Sequence, residues 1–218
     1  KINKKNNSLD FLIARLKMSK FINKIIIAYP KNKKNSEILK QIKKYKVEHF
    51  GGSENNVLDR FYKTATNFNA KNILRITADC PFADPKLIDK LAKKFFQFKL
   101  DYYCNTNPPS FPDGFDIEIF NYKSLKYCWK NAKSKYDLEH VTPFLRRSSK
   151  IFKGNYKIKT DFSRFRVTLD NLKDLKIIKK IANNLDPEKY FSWKVVLKKL
   201  KSIKNKKIWT YRIKYKND

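Results

Sequence analysis

The chain has 218 residues, 41% of them hydrophobic, which is enough to bury one sizeable core, and we expect a single domain over 1–218. Its net charge is +31. The basic residues are 43 lysines and only 8 arginines, and the lysines are spread along the whole chain. This pattern is typical of a composition bias, because a dedicated nucleic-acid surface more often concentrates arginine. We therefore expect no nucleic-acid partner. The alternative, nucleic-acid binding through lysine, predicts a steep salt dependence.

Apolar runs and cysteines restrict the cellular setting. The longest apolar runs, such as 25–28, are far too short to cross a bilayer, and the polar N-terminus shows no signal-peptide pattern. The three cysteines, Cys80, Cys104 and Cys128, form no CxxC pair, which argues against a disulfide framework or a zinc site. The sequence thus predicts a protein without a membrane span in a reducing cytoplasm.

The first half of the chain alternates helix and strand patterns. Apolar residues at helical spacing predict four helices, over 8–19, 36–44, 54–68 and 85–97. Short buried runs predict four strands, over 24–29, 47–50, 72–76 and 101–104. Ser8 and Asp84 are the expected N-caps of the first and fourth helices. The alternation predicts a three-layer α/β/α domain with a mixed, mostly parallel sheet.

The second half is less regular and opens with a polar, proline-containing loop over 105–113 that precedes Gly114. The patterns then predict strands over 115–120, 151–158 and 164–169, helices over 121–133, 137–148, 171–184 and 192–203, and a basic tail over 204–218. In sheets of this kind ligands bind beyond the carboxyl ends of the strands. The loops after Ile76, Cys104 and Leu169 are therefore the expected site.

Four segments carry a family resemblance. They are 51–62, 75–85, 111–120, and 139–144 followed by 166–175. In this order and spacing they resemble the spore coat polysaccharide biosynthesis protein F family, which is related to CMP-KDO synthetase and the acylneuraminate cytidylyltransferases. The resemblance implies a nucleotide-diphospho-sugar transferase (GT-A-like) fold. It also implies a cytidylyltransferase that joins CTP to a sugar, releases pyrophosphate and uses Mg²⁺.

The start of the chain departs from that family. The family usually begins with a strand and a loop containing glycine and arginine, which wraps the nucleotide triphosphate and ends in a lysine. The sequence starts at Lys1, where that loop would already have ended. The resemblance therefore implies that the first strand and the phosphate loop are missing. A truncated domain that only binds nucleotide or sugar is one alternative, and a glycosyltransferase of the same fold is another.

The resemblance implies Asp79 and Asp170 as catalytic residues and Mg²⁺ ligands. Both follow predicted strands, and one or two carboxylates suffice for an ion that keeps several waters. The alternatives are a loop cap for Asp79 and the N-cap of the next helix for Asp170. Asp174 lies one turn further on, where it is expected to complement the helix dipole. If the two ligands are correct, their carboxylates must lie at the same rim of the sheet.

The resemblance also places Gly52, Ser53, Arg60, Arg75 and Thr77 at the nucleotide. Residues 51–53 form a turn between a strand and a helix, and this turn is implied to border the cytosine and the ribose. A simple capping turn, with Ser53 as N-cap of helix 54–68, is the alternative. For Arg60 the alternative is an ion pair with Asp59 or another acidic neighbour.

Five residues are implied to contact the acceptor sugar, namely Asp113, Asp116, Glu118, His140 and Arg166. Asp116 and Glu118 are two apart on a predicted strand and would share one face, and the alternative to a sugar contact is a solvated edge strand. His140 is either a general base or a structural partner of Glu139. Arg166 binds a sugar carboxylate or forms a salt bridge within the core. A homodimer is expected from the relatives.

Overall fold

The computed structural model describes residues 1–32 and 36–204. Its helices are Ser8–Lys17 (α1), Ser36–Lys43 (α2), Val57–Asn67 (α3), Pro85–Gln97 (α4), Tyr122–Asn131 (α5), Lys135–His140 (α6), Pro143–Arg147 (α7), Leu172–Ala182 (α8) and Trp193–Ser202 (α9). Its strands are Ile26–Pro30 (β1), Glu48–Gly52 (β2), Asn72–Arg75 (β3), Tyr102–Cys104 (β4), Glu118–Asn121 (β5) and Lys153–Asn155 (β6). Apart from residue 204, the predicted basic tail lies outside the described residues.

The described strands form two sheets. β1 and β2 pair in parallel, and the four-stranded sheet has the order β3-β5-β4-β6. Within that sheet β5 runs antiparallel to both of its neighbours, whereas β4 and β6 are parallel. Three of the four strands therefore share one direction. The predicted mixed α/β fold is confirmed.

Side-chain alternation in the four-stranded sheet produces the layers. Tyr103 and Ile119 point into a cluster built with α1, α4, α8 and α9. Their neighbours Tyr102 and Phe120 point the other way, into a second cluster under α3 and α5. Successive residues of a strand face opposite sides of a sheet, so each face needs its own helical cover. The helices on both faces give the three predicted layers.

Two predicted helices differ most from the structure, while the ends of the others shift by at most two residues. The helix predicted over 137–148 is broken into α6 and α7, because Val141 has a φ of 73° and Pro143 begins the second helix. Proline lacks an N–H and cannot continue the preceding helix. The helix predicted over 54–68 begins only at Val57, where Asn56 is the N-cap. At α1 the N-cap is Asn7 rather than Ser8, whereas Asp84 caps α4 as predicted.

The predicted strands of the second half are shorter or absent. The strand predicted over 115–120 begins at Glu118, and the one over 151–158 is limited to β6. The strand predicted over 164–169 is reduced to one parallel bridge between Asp113 and Arg166. The segment 164–169 is instead held by two backbone hydrogen bonds to Asp113 and one to Asp79, and this arrangement forms the candidate site.

Gly114 holds one of these loops in shape. Its φ is +103°, and a Cβ at this position would lie 3.0 Å from the backbone of Val167. We expect Gly114→Ala to lower the free energy of unfolding by about 2–4 kcal/mol, because alanine disfavours this backbone region and has no room here. Urea unfolding measures the loss. Gly51→Ala is the control, since its Cβ would meet mainly side-chain atoms of Tyr29 and Lys31. Equal losses in both variants would contradict the prediction.

Candidate functional site at the carboxyl ends of the strands

Three loop segments meet beside the end of β3. The backbone N–H of Val167 donates to the carbonyl oxygen of Asp113 at 2.8 Å. Two residues on, the N–H of Leu169 donates to the carbonyl oxygen of Asp79 at 2.9 Å. Asp170 therefore directly follows Leu169, which is hydrogen-bonded to the backbone of Asp79. The structure places both predicted metal ligands on adjoining backbone segments, at the same rim.

Arg166 lies at the centre of this meeting point and is 7% exposed. Its Nη1 donates to Asp113 Oδ2 at 3.1 Å, while its Nη2 donates to Asp170 Oδ2 and, at 3.4 Å, to Asp174 Oδ2. Burial lowers the pKa of Arg166, but Asp113, Asp174 and Asp170 outweigh that effect and raise the pKa. Of the two predicted roles, the structure shows the internal salt bridge.

Asp174 organises the backbone that carries Asp170. The side chain of Asp174 is fully buried, and its Oδ2 accepts from the N–H of Asp170 at 3.0 Å and of Asn171 at 3.2 Å. Asn171, not Asp170, is the N-cap of α8, and it forms a capping box with Asp174. The Asp170 carboxylate is therefore not used for capping, and its side chain remains 51% exposed.

Further carboxylates surround Cys80 in the loop after β3. Burial raises the pKa of this thiol well above its usual value, and the neighbouring Asp79, Asp116 and Asp113 raise it further. The thiol therefore stays neutral. Counting both neighbourhoods, five aspartates (Asp79, Asp113, Asp116, Asp170 and Asp174) gather around Arg166 and Cys80. This concentration of negative charge stands out in a chain whose net charge is +31.

The oxygen donors of this site fit a divalent cation. Within 1–32 and 36–204, no group of three or more His, Cys, Asp or Glu is preassembled for a metal. Mg²⁺ needs fewer protein ligands than that, because it retains several waters and is completed by substrate phosphates. Asp79 and Asp170 are oxygen donors on adjoining segments, and Asp174 Oδ1 is buried without a hydrogen-bond partner among the described residues. The donor set is thus suited to Mg²⁺.

The turn after β2 brings Gly52, Ser53 and Arg60 together. The Nη1 of Arg60 donates to the carbonyl oxygen of Ser53 at 2.5 Å, and a Cβ on Gly52 would lie 2.8 Å from Cγ of Arg60. Burial lowers the pKa of Arg60, with Glu54 acting in the opposite direction. Ser53 is not the N-cap of α3, since its Oγ accepts from the N–H of Asn56, which is the N-cap.

Glu118 and Arg75 belong to one network of ion pairs, which argues against the predicted sugar contact of Glu118, whereas the nucleotide role of Arg75 stays a prediction. Glu118 is 2% exposed and accepts from Arg75 at 2.5 Å and Arg146 at 2.9 Å. The hydroxyls of Tyr102 and Thr142 also donate to it, each at 2.6 Å. Both oxygens of Glu118 are therefore engaged within the protein, and Arg75 supplies part of their countercharge. This carboxylate stabilises the fold and is not presented to a sugar.

The strand that was predicted to carry both Asp116 and Glu118 is shorter than expected. Asp116 lies before β5, which starts at Glu118, and β5 is an interior strand of its sheet. An interior position excludes the solvated-edge alternative as well. Asp116 remains half-buried and close to Cys80, on the side of the aspartate cluster.

Thr77 and His140 lie in different surroundings. The Oγ1 of Thr77 is 3.2 Å from Sγ of Cys80, so Thr77 belongs to the loop that carries Asp79. His140 ends α6, and its ring centroid lies 4.5 Å from that of Tyr136. This ring contact is consistent with a structural histidine, and its role as a general base stays a prediction.

Three residues that organise the site region were not predicted to do so. Thr168 donates to Asp170, Asp174 fixes the backbone at Asp170, and Arg146 pairs with Glu118. The Asn-x-x-Asp spacing of Asn171 and Asp174 is a capping-box pattern and could have indicated the second of these. The contact of Arg146 spans 28 residues and has no local sequence signal.

Solved structures with the same fold place the chain among nucleotidyltransferases. A cytidylyltransferase from Leptospira borgpetersenii superposes with a TM-score of 0.86 at 28% identity, covering 98% of this chain and 90% of that protein. CMP:2-keto-3-deoxy-manno-octonic acid synthetase, solved with CTP, superposes with a TM-score of 0.59 at 8% identity, covering 79% of this chain and 86% of that protein. The second likeness concerns the fold alone.

Sequence comparison defines the family. Residues 9–215 match the family described as cytidylyltransferase. The spore coat polysaccharide biosynthesis protein SpsF of Bacillus subtilis is 31% identical over 183 residues, which are 80% of this chain and 75% of SpsF. An uncharacterized protein of Methanocaldococcus jannaschii is 34% identical over 181 residues, 82% of this chain and 73% of that protein. The chain belongs to the cytidylyltransferase family and is a nucleotidyltransferase, as its motifs predicted.

The helices of the described residues also bear on the predicted absence of a membrane span. None of those within 1–32 and 36–204 combines the length and the apolar character that a bilayer crossing requires.

Proposed function

We propose that this enzyme transfers the cytidylyl group of CTP to a sugar, giving a CMP-sugar and pyrophosphate for cell-surface polysaccharide synthesis. The observation that carries the proposal is the hydrogen bond from the Leu169 N–H to the Asp79 carbonyl, because it aligns the segments of both candidate metal ligands. Membership of the cytidylyltransferase family supports the choice of nucleotide. The name of the relative SpsF supports the choice of pathway.

Asp79 and Asp170 would hold Mg²⁺ through their carboxylates. When bound, the ion neutralises charge that develops on the phosphate oxygens during transfer. The reaction also depends on alignment, because a sugar hydroxyl must attack the α-phosphorus in line with the bond to the departing pyrophosphate, which breaks.

 The residues that we assign to the nucleotide and to the acceptor sugar would provide that alignment. Catalysis of this kind depends on positioning and on electrostatic stabilisation.

The turn around Gly52, Ser53 and Arg60 is the part of the structure that we assign to the nucleotide. Its compact geometry leaves backbone groups of residues 51–53 near the half-buried guanidinium of Arg60, which suits recognition of a polar base or ribose. Of the residues predicted to contact the acceptor sugar, we keep Asp113 and Asp116. Both lie close to Cys80, which belongs to the same loop as Asp79. Arg166 already forms salt bridges with Asp113 and Asp170, so we assign no sugar contact to Arg166.

The proposal is tested by measuring pyrophosphate release with CTP, UTP, ATP or GTP and a panel of acidic and deoxy sugars. We expect release only when CTP, Mg²⁺ and one class of sugar are present together, and its loss when EDTA is added. Release of free CMP or UDP from a nucleotide-sugar, without pyrophosphate, would identify a glycosyltransferase instead. Nucleotide binding without turnover of any sugar would favour a domain that only binds.

Two further expectations stay predictions from the sequence. They are the pairing of two copies into a homodimer and the cytoplasmic location. Size-exclusion chromatography with light scattering measures the first, and cell fractionation measures the second.

A further inference from the structure

The carboxylate of Asp170 is held asymmetrically. Its Oδ2 accepts from Nη2 of Arg166 and, at 3.2 Å, from Oγ1 of Thr168. In the part of the chain that the structure describes, Oδ1 of Asp170 has no hydrogen-bond partner, and the side chain is 51% exposed. One oxygen is therefore fixed by the protein, and the other is open to solvent.

The backbone on both sides of this carboxylate is fixed as well. The N–H of Leu169 donates to the carbonyl oxygen of Asp79, and the N–H of Asp170 donates to Asp174 Oδ2 at 3.0 Å. With the backbone held, the remaining freedom of Asp170 lies in its side-chain torsions. The two hydrogen bonds to Oδ2 restrict that freedom.

The two donors are themselves rigid. Thr168 is 3% exposed and β-branched, which restricts its χ1 angle, and Arg166 is 7% exposed. Arg166 is anchored from two further directions by Asp113 at 3.1 Å and by Asp174 at 3.4 Å. Neither donor can follow a displaced carboxylate without breaking buried contacts.

We propose that Thr168 and Arg166 are positioning residues that aim the open Oδ1 of Asp170 at the divalent cation. This inference rests on the proposed function, because it concerns the same cation. A carboxylate whose second oxygen is hydrogen-bonded binds a metal through the first, and such outer contacts commonly change metal affinity by about 10–100-fold. Thr168 and Arg166 do not touch the cation, and they act through Asp170.

Thr168→Val is the sharpest test, because it removes the hydroxyl while retaining the shape and the charge of the site. Thr168→Ser is its matched control and keeps the hydroxyl. Mn²⁺ binding is followed by electron paramagnetic resonance of the free ion, with and without CTP. We expect Mn²⁺ to bind about tenfold more weakly to Thr168→Val and within about twofold of the natural protein to Thr168→Ser.

Arg166→Gln tests the second donor against Arg164→Gln. Both variants lose one positive charge from the same segment, but Arg164 is exposed and its side chain packs over Phe165. Loss of positive charge alone would strengthen Mn²⁺ binding in both variants. We expect weaker binding only in Arg166→Gln, with circular dichroism confirming that each variant folds.

The outcomes separate the two proposals. Unchanged Mn²⁺ affinity in Thr168→Val, with measurable binding to the natural protein, would overturn the positioning role and leave the proposed function intact. No Mn²⁺ binding to the natural protein, with or without CTP, would overturn the cation site itself. Equal weakening in Thr168→Val and Thr168→Ser would show that packing, not the hydroxyl, matters, and it would also overturn the inference.

Discussion

Replacing Asp79 with Asn is expected to lower the rate of CTP-dependent pyrophosphate release by about 100–1,000-fold. The change keeps the size of the side chain but removes a negative charge from one of the two proposed Mg²⁺ ligands. Asp79 is bonded through its carbonyl oxygen to Leu169, so the backbone arrangement should survive the substitution. Steady-state assays of pyrophosphate release, at saturating CTP and Mg²⁺, measure the effect.

Asp170→Asn should produce a loss of similar size, and the double variant should lose little more than either single variant. Residues that hold one ion act as a unit, so their effects are not additive. Asp186→Asn is the matched control, because Asp186 is exposed and lies beyond the far end of α8. An Asp79→Asn enzyme with more than half of the original rate would contradict the assignment of this ligand.

Replacing Glu118 with Gln is expected to lower the free energy of unfolding by about 3–5 kcal/mol. Glu118 is 2% exposed and forms ion pairs with Arg75 and Arg146. The neutral amide would leave these guanidinium groups without their buried countercharge. Thermal and urea unfolding of the variant measure the loss, and Glu139→Gln, at an exposed glutamate, is the control. Equal stability of the two variants would contradict a structural role for Glu118.

The same network predicts how stability changes in acid. Burial acts to raise the pKa of Glu118, but Arg75 and Arg146 outweigh it and lower the pKa from 4.5 to about 2. A carboxyl whose pKa is lower in the folded state stabilises the protein above its unfolded pKa. That stabilisation, roughly 3 kcal/mol, is lost as the pH falls from about 4.5 towards 2. Urea unfolding between pH 5 and pH 2 should show a shallower decline for Glu118→Gln than for the natural protein.

The layers of the fold could be predicted because helical spacing and short buried runs alternate in the first half of the chain. Where local signals compete, the prediction was wrong. Pro143 interrupts a helical pattern that otherwise continues to residue 148, and the structure breaks the helix there. The apolar residues of 164–169 predicted a strand. In the structure the first part of this segment is hydrogen-bonded to Asp113 and its end to Asp79, so no continuous strand pairing forms.

The candidate site was predictable in its location but not in its pairings. The rule that ligands bind at the carboxyl ends of strands predicted that the segments of Asp79 and Asp170 lie at one rim, and the hydrogen bond from Leu169 to Asp79 joins these segments. The ion pair of Arg166 with Asp113 spans 53 residues, and that of Arg75 with Glu118 spans 43. No local pattern distinguishes a carboxylate that will be neutralised by a distant arginine from one that stays available. Glu118 and Asp170 were both predicted to contact ligands, but Glu118 is buried between two arginines, whereas the Asp170 side chain stays 51% exposed.

The most direct test of this account is anomalous diffraction from crystals of the protein grown with CTP and Mn²⁺. Mn²⁺ substitutes for Mg²⁺ and marks its own position in the map. We predict one Mn²⁺ peak within about 2.5 Å of a carboxylate oxygen of Asp79 and of one from Asp170, with phosphate oxygens of CTP completing its ligands. A Mn²⁺ ion bound by the CTP phosphates but remote from both carboxylates would contradict the account.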